Sequence, residues 1–303
     1  MRVPEHRSPL SPGRVSAGAA RGAGAPLVLA MLAATALGVS GAAAEPAGEA
    51  PYLGDRGKGI PTSLFGTYVA KGEFLVYPFY EYTTNSDAEY KPSELGFAGE
   101  QDFFGKQTEH EALIFFGYGI SDRLAFEFEA ALWASSELRK APNDPSGVPD
   151  RIEESGLGDV ESQLRWVWAP ETAKRPMLYS FWEIVFPLQK NKVILGTQDW
   201  ETALGFGVVR GYRWGTLNGR VTIKYDAEDG QVEPGEYAIE YLRRTSPKWR
   251  WVGTLEGEDD ELSLIGEAQW TLSPRAVLKL NCGFGLTKKA PDFAPEVGVI
   301  FSF

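Results

Sequence analysis

Phe293-Ala-Pro-Glu-Val-Gly-Val-Ile-Phe-Ser-Phe303 is the stretch that decides the fold. In an extended strand successive side chains point to opposite faces. Phe293, Val297, Val299, Phe301 and Phe303 then share one face, while Ala294, Glu296, Gly298 and Ser302 share the other. Chain ends usually fray unless something holds them. An aromatic strand running to the last residue needs such a surface, and lipid would supply it. An ordinary core strand of a soluble sandwich is the competing reading.

The rest of the chain decides between them. Working back from Phe303, runs of about ten residues recur with turns between them: 73–82, 109–119, 124–135, 158–168, 177–187, 199–212, 217–226, 236–245, 250–258, 261–272, 276–286 and 293–303. Twelve is an even number, as bacterial single-chain outer-membrane barrels require. Alternation is clean in several runs. Leu124, Phe126, Phe128, Ala130 and Leu132 oppose Glu127, Glu129 and Ser135; Val160, Leu164, Trp166 and Trp168 oppose Asp159, Glu161, Gln163 and Arg165. A helix would need period 3.6, which these runs lack. The fold class expected is all-β: a transmembrane antiparallel β-barrel of about 12 strands.

The connections support it. Ile120–Arg123, Pro170–Pro176, Trp214–Thr216, Ser246–Lys248 and Ser273–Arg275 are short. Longer polar links are expected at 83–108, 136–157, 188–198, 227–235 and 287–292. Short turns face the periplasm in such barrels, and long loops face outside. Trp168, Trp214, Trp249, Trp251 and Trp270 gather near the short turns, and Trp133 and Trp200 near the long loops, as at two membrane interfaces.

Residues 1–44 read as a secretory signal peptide: Arg2, Arg7, Arg14 and Arg21, then the apolar run Pro26–Val39, then Gly41-Ala-Ala-Ala44. Its removal takes four Arg and one Glu from 30 basic and 41 acidic residues. That leaves 26 and 40, a net charge of −14, which disfavours nucleic acid as a partner. The single Cys282 excludes an internal disulfide framework. Residues 45–71 form an N-terminal segment of periplasmic or lumen-plug character, and 72–303 form the barrel.

Three runs, 73–82, 109–119 and 177–187, are apolar on both faces. Glu73, Glu81, Glu109, Glu111 and Glu183 mark the inward face, which puts Tyr77, Phe79, Leu113, Phe115, Tyr179 and Phe181 in the lumen. Either an apolar patch binds ligand there or the segment around Leu64, Phe65 and Tyr68 packs on it. Pro78 and Pro295 lie in the first and last runs. Lacking a backbone donor, they predict a weak or bulged seam.

The lumen-lining candidates are Glu127, Glu129, Glu161, Arg165, Glu183, Glu201, Arg220, Lys224, Glu240, Glu267 and Lys279. A narrow pore with excess carboxylates favours cations; a structural Glu–Arg network with no open path is the alternative. No catalytic, metal or cofactor site is expected. No Gly-x-Ser-x-Gly elbow is present, and in a strand His110 points away from Glu109 and Glu111, so the three cannot converge on an ion.

Ser155-Gly-Leu-Gly-Asp-Val160 leading to Gln163-Leu-Arg165, and Tyr118-Gly-Ile-Ser-Asp-Arg-Leu124, resemble motifs of the phenol-degradation MetA-pathway family of outer-membrane barrels. The resemblance covers roughly 109–303; Ile60–Tyr82 and the link to Gln107 do not match. Val299, Phe301 and Phe303 resemble the signal that outer-membrane proteins present to the barrel assembly machinery. The resemblance implies passive admission of small, often hydrophobic solutes, with membrane lipid and lipopolysaccharide as surroundings. A closed structural or surface-interaction barrel with no open pore remains the alternative.

Overall fold

The computed structural model describes residues 55–227 and 230–303, without the side chain of Asp226. The expected signal peptide lies outside the described residues, as do residues 45–54 of the N-terminal segment. A short hairpin, β1 (Ile60–Pro61) and β2 (Tyr68–Val69), comes first. The wall follows: β3 (Phe74–Tyr90), β4 (Phe103–Gly119), β5 (Leu124–Arg139), β6 (Arg151–Gly156), β7 (Val160–Ala169), β8 (Met177–Val185), β9 (Glu201–Tyr212), β10 (Gly215–Asp226), β11 (Gln231–Arg244), β12 (Trp249–Glu258), β13 (Glu261–Ser273), β14 (Ala276–Gly285) and β15 (Ala294–Ser302).

Each wall strand pairs antiparallel with its neighbour, and β15 pairs with β3, which closes a twelve-strand barrel. β6 and β7 together make one stave. β7 pairs with Leu124–Ala130 of β5, and β6 with Ala134–Arg139 above it. Phe74 N donates to Phe303 O (3.1 Å), and Phe303 N donates to Phe74 O (2.9 Å). The aromatic end is thus pinned through its backbone while its ring stays exposed.

The apolar edge of the strands faces outward. Phe126, Leu164, Trp166, Leu204, Phe206, Ile223, Leu264 and Phe301 are all exposed. Tyr212–Trp214 and Trp249–Trp270 stack at 4.7 and 5.6 Å near the short turns. A greasy, edge-free wall with an aromatic girdle is the solution that lipid imposes on a sheet, because every backbone group is satisfied within it. The chain is an outer-membrane-type barrel. No helix among the described residues is long and apolar enough to cross a membrane.

Several expected boundaries need correction. The 83–108 link is mostly strand: β3 and β4 pair up to Tyr90 and Phe103, leaving only 91–102 as loop. Within 136–157, residues 136–139 continue β5, and β6 pairs back on them. The 227–235 link shrinks to 227–230, since β11 starts at Gln231. Short turns are not confined to the periplasmic side. Asp259-Asp260 joins β12 to β13 at the outer end, with Asp259 at φ 47°. The outer rim is therefore tall over β3–β6 and low over β10–β13.

Ser135 does not face the lumen. The register slips between Ala112 and Leu113 opposite Ala131 and Trp133, so Leu132 is the extra residue. A bulge reverses the alternation beyond it. Leu132 and Trp133 are both exposed, and Ala134, Ser136 and Leu138 take the inward face. At the seam, pairs run Glu296↔Glu81 to Gly298↔Phe79, lapse opposite Pro78, and resume at Phe301↔Val76 in the same register. The seam is interrupted there without a bulge.

Candidate lumen site and its comparisons

Inside the lower half of the barrel the hairpin meets the wall aromatics. Ile60, Val69, Tyr77, Phe79, Phe115, Tyr179 and Phe181 form one buried cluster, with Leu64 and Leu113 against it. Tyr68 packs on Leu242 and Val252, with Phe65 against them. The wall makes room by glycine. A Cβ on Gly205 would sit 2.1 Å from the Phe181 ring, and one on Gly207 would sit 2.1 Å from the Tyr179 ring. Such approaches leave no space for any side chain there.

The wall's charged residues grip the hairpin tip. Glu127 Oε2 accepts from Ser63 N (3.0 Å) and Ser63 Oγ (2.8 Å), and Glu240 Oε2 accepts from Gly66 N (3.2 Å). Phe65 O accepts from Gln269 Nε2 (3.0 Å) and Lys279 Nζ (3.4 Å), and Pro61 O from Arg165 (3.3 Å). The gripping groups are themselves paired: Arg165 with Glu127 at 2.9 Å and Lys279 with Glu267 at 3.0 Å. Arg165 also lies 4.6 Å over the Phe181 ring. Buried charges persist only when compensated in this way. Lower down, Arg56 pairs with Glu171 at 2.5 Å, and Arg244 N donates to Asp55 (2.9 Å).

Above the tip the lumen opens into a cavity of about 360 Å³. Its wall includes Glu81, Glu109, Glu111, Glu256, Glu258 and Glu261, with Ile265 and Ala294 as apolar lining. Glu296, Glu81 and Glu111 stand side by side on adjacent strands. Glu109 Oε1 is buried without a hydrogen-bond partner. Lys289 is the basic residue of the lining, and it is engaged: Nζ lies 2.7 Å from Glu89 and 3.0 Å from Asp260. Burial pulls its pKa down, but the bonds to those two carboxylates outweigh that and hold it above the ordinary lysine value.

The candidates chosen by alternation fall into three groups, with Glu201 apart. Glu127, Arg165, Glu240, Glu267 and Lys279 sit at the hairpin. Arg220 and Lys224 do not line the cavity but pair with carboxylates that do. Arg220 bonds Glu236 (2.5 Å) and Glu256 (2.8 Å), and Lys224 bonds Glu258 (2.5 Å). Glu129 and Glu161 lie directly opposite each other in register, and Glu183 accepts from Gln163 (2.5 Å). Glu201 pairs in register with Val185 at the outer end of β9. Glu258, Glu261, Glu296 and Gln269 are not among the lumen-lining candidates, although alternation puts Glu261, Gln269 and Glu296 on the polar faces of their runs. Each has the parity of an inward position, so period two alone suffices to find them.

The Gly-Leu-Gly-Asp motif is a joint in the wall. Gly158 N donates to Ala131 O (2.9 Å), beside the Leu132 bulge, and Asp159 Oδ1 accepts from Thr197 N (2.6 Å), which ties the 186–200 loop to the stave. His110 faces outward, with Tyr80 Oη 2.6 Å from its Nδ1.

No family model matches the chain, and no curated protein does. Among solved structures, it is similar to an outer membrane channel from Pseudomonas putida F1: TM-score 0.56 and 14% identity, over 78% of this chain and 97% of that one. The translocator domain of the autotransporter NalP from Neisseria meningitidis aligns at TM-score 0.42 and 10% identity, over 77% and 89%. The CymD monoaromatic hydrocarbon channel aligns at 0.42 and 9%, over 78% and 89%. The last two are too distant to carry an argument. At 14% identity the first shows shared architecture alone; the greasy exterior is what marks the wall as that of an outer-membrane-type barrel.

Proposed function

We propose that this protein is a passive conduit of the outer membrane for small solutes, hydrophobic ones included, with the N-terminal hairpin as a plug of its periplasmic half. The carrying observation is the cavity of about 360 Å³ that stands open above the hairpin tip and is lined by carboxylates and apolar groups together. Carboxylates without free counter-cations favour positively charged or neutral solutes over anions. The resemblance to the phenol-degradation MetA-pathway family and the similar fold of a Pseudomonas outer membrane channel support this reading. Recognition of Phe303 and its strand by the barrel assembly machinery belongs to the same proposal, as does contact of the tall outer rim with lipopolysaccharide.

Purified protein in planar bilayers tests it. Conductance steps with a cation preference are expected, and silence across salts and candidate solutes would overturn the conduit. A second reading, a closed barrel acting through its outer loops, is favoured by one observation: the hairpin and its paired charges fill the lower lumen. Under that reading, exchange of loops 91–102 and 140–150 abolishes partner binding while permeability stays at zero.

A further inference from the structure

The periplasmic turns share a construction that neither the lumen nor the lipid belt requires. Ser121-Asp-Arg123, Thr172-Ala-Lys174, Ser246-Pro-Lys248 and Ser273-Pro-Arg275 all read Ser/Thr-x-Lys/Arg. In each, the hydroxyl accepts a hydrogen bond from the backbone N of the basic residue two positions on: 3.2, 3.3, 3.3 and 3.2 Å. This is a local turn that fixes the tip. Arg123, Lys174, Lys248 and Arg275 are all exposed, and so is Arg175 beside Lys174. Other arginines brace these tips from within. Arg210 donates to Thr172 O (2.8 Å) and Ala173 O (3.0 Å). The fifth turn carries Arg213, whose carbonyl accepts from Arg243 (2.7 Å).

Every periplasmic turn thus holds at least one basic side chain at the rim, on a chain whose net charge is −11. Of the acidic residues in these turns, Asp122 is exposed, while Glu171 is buried against Arg56. Directly above the ring, on the same outer surface, lies the lipid-facing girdle of Trp168, Trp214 and Trp251. A cation ring continuous with an aromatic belt fits a molecule with acyl chains and an anionic head.

We propose that this ring binds the headgroups of anionic glycerophospholipids in the inner leaflet and retains them around the barrel. A basic residue near an anionic membrane surface contributes about a fivefold preference. The interaction is coulombic and exposed, so salt should weaken it.

The test uses full-length protein in phosphatidylcholine vesicles doped with brominated phosphatidylglycerol or brominated phosphatidylcholine, with tryptophan quenching as the readout. Stronger quenching by the anionic lipid is expected, by several-fold in apparent association. It should fall toward parity at high salt and in the variant Arg123→Gln/Lys174→Gln/Lys248→Gln/Arg275→Gln. Heat-modifiable gel migration reports whether that variant folds, and the salt titration of the unaltered protein decides the matter if it does not. Equal quenching by both lipids in the unaltered protein would overturn the proposal, as would a folded variant that keeps the preference. Retention on purified peptidoglycan through the ring, without lipid preference, would also overturn it and name the cell wall as the partner.

Discussion

Replacing Arg165 by Met isolates the interaction on which hairpin docking leans hardest. Arg165 is 1% exposed, lies 2.9 Å from Glu127, donates to Pro61 O on the hairpin at 3.3 Å and to Gln163 at 2.7 Å. Methionine fills most of the volume but removes the counter-charge. Glu127 keeps its two bonds from Ser63, yet it becomes a buried carboxylate with no cation beside it. Breaking such a pair by removing one partner costs about 3–5 kcal/mol. With a urea slope of about 2 kcal/mol/M, the unfolding midpoint should fall by more than about 1 M. Adding Glu127→Gln removes the stranded charge while a side-chain oxygen still accepts from Ser63. The double variant should therefore recover at least half of the loss, a coupling that single substitutions cannot show. Urea titrations of vesicle-inserted protein, followed by heat-modifiable migration, measure both. A single variant that loses under about 1 kcal/mol, or a double variant as unstable as the single, would refute the compensation argument.

Removal of residues 55–71 should leave a barrel that still migrates as folded but gives larger conductance steps than the intact chain; unchanged steps would count against the plug. Gly207→Val should destabilise by at least about 1–3 kcal/mol, because its Cβ lands 2.1 Å from the Tyr179 ring, and Tyr179→Ala in the same chain should restore folding yield. Asp159→Ala removes the 2.6 Å bond to Thr197 N, worth about 1.5–3 kcal/mol for a charged acceptor, and limited proteolysis should then cut within 186–200 before the barrel unfolds. Glu256→Gln with Glu258→Gln should lower the cation-over-anion permeability ratio measured by reversal potential, while an unchanged ratio would place the selectivity elsewhere.

The strand count and the inward face were legible because period two is a local property, visible wherever a run alternates Glu or Arg with Leu, Trp or Phe. Tyr77, Phe79, Phe115, Tyr179 and Phe181 could be placed in the lumen from parity alone, and they lie there buried. The bulge at Leu132 was not legible, because an extra residue in one strand is defined by its partner, and Ala112 and Leu113 lie some twenty residues back. The same holds for β6. Arg151–Gly156 reads as a polar loop and becomes a strand only because β5 rises far enough to pair with it. Loop lengths were overestimated for the same reason: the wall continues above the greasy belt in polar sequence, where alternation loses its contrast. For the site, alternation supplied the acids and bases but not their pairing. Nothing local says that Arg165 meets Glu127 rather than Glu183, since both flank its stave.

Why a barrel of this size carries a hairpin inside it follows from its circumference. Twelve strands about 4.8 Å apart and tilted about 40° enclose a backbone cylinder roughly 24 Å across. Side chains fill an eight-strand barrel but leave a gap in one this wide. On β9 the inward positions are Ala203, Gly205, Gly207 and Val209, which widen the gap further. The aromatics of β3, β4 and β8 would then face water across that gap, and burying them needs apolar surface from elsewhere in the chain. Ile60, Leu64, Phe65, Tyr68 and Val69 supply it. A hairpin also brings backbone N–H and C=O groups into the lumen, and these need partners in a dry space. Glu127, Glu240, Gln269, Lys279 and Arg165 are those partners. The charges of the lower lumen are therefore complementary to a peptide, whereas among the described residues no hairpin backbone meets those of the cavity above it, and under the conduit proposal they are left to an entering solute.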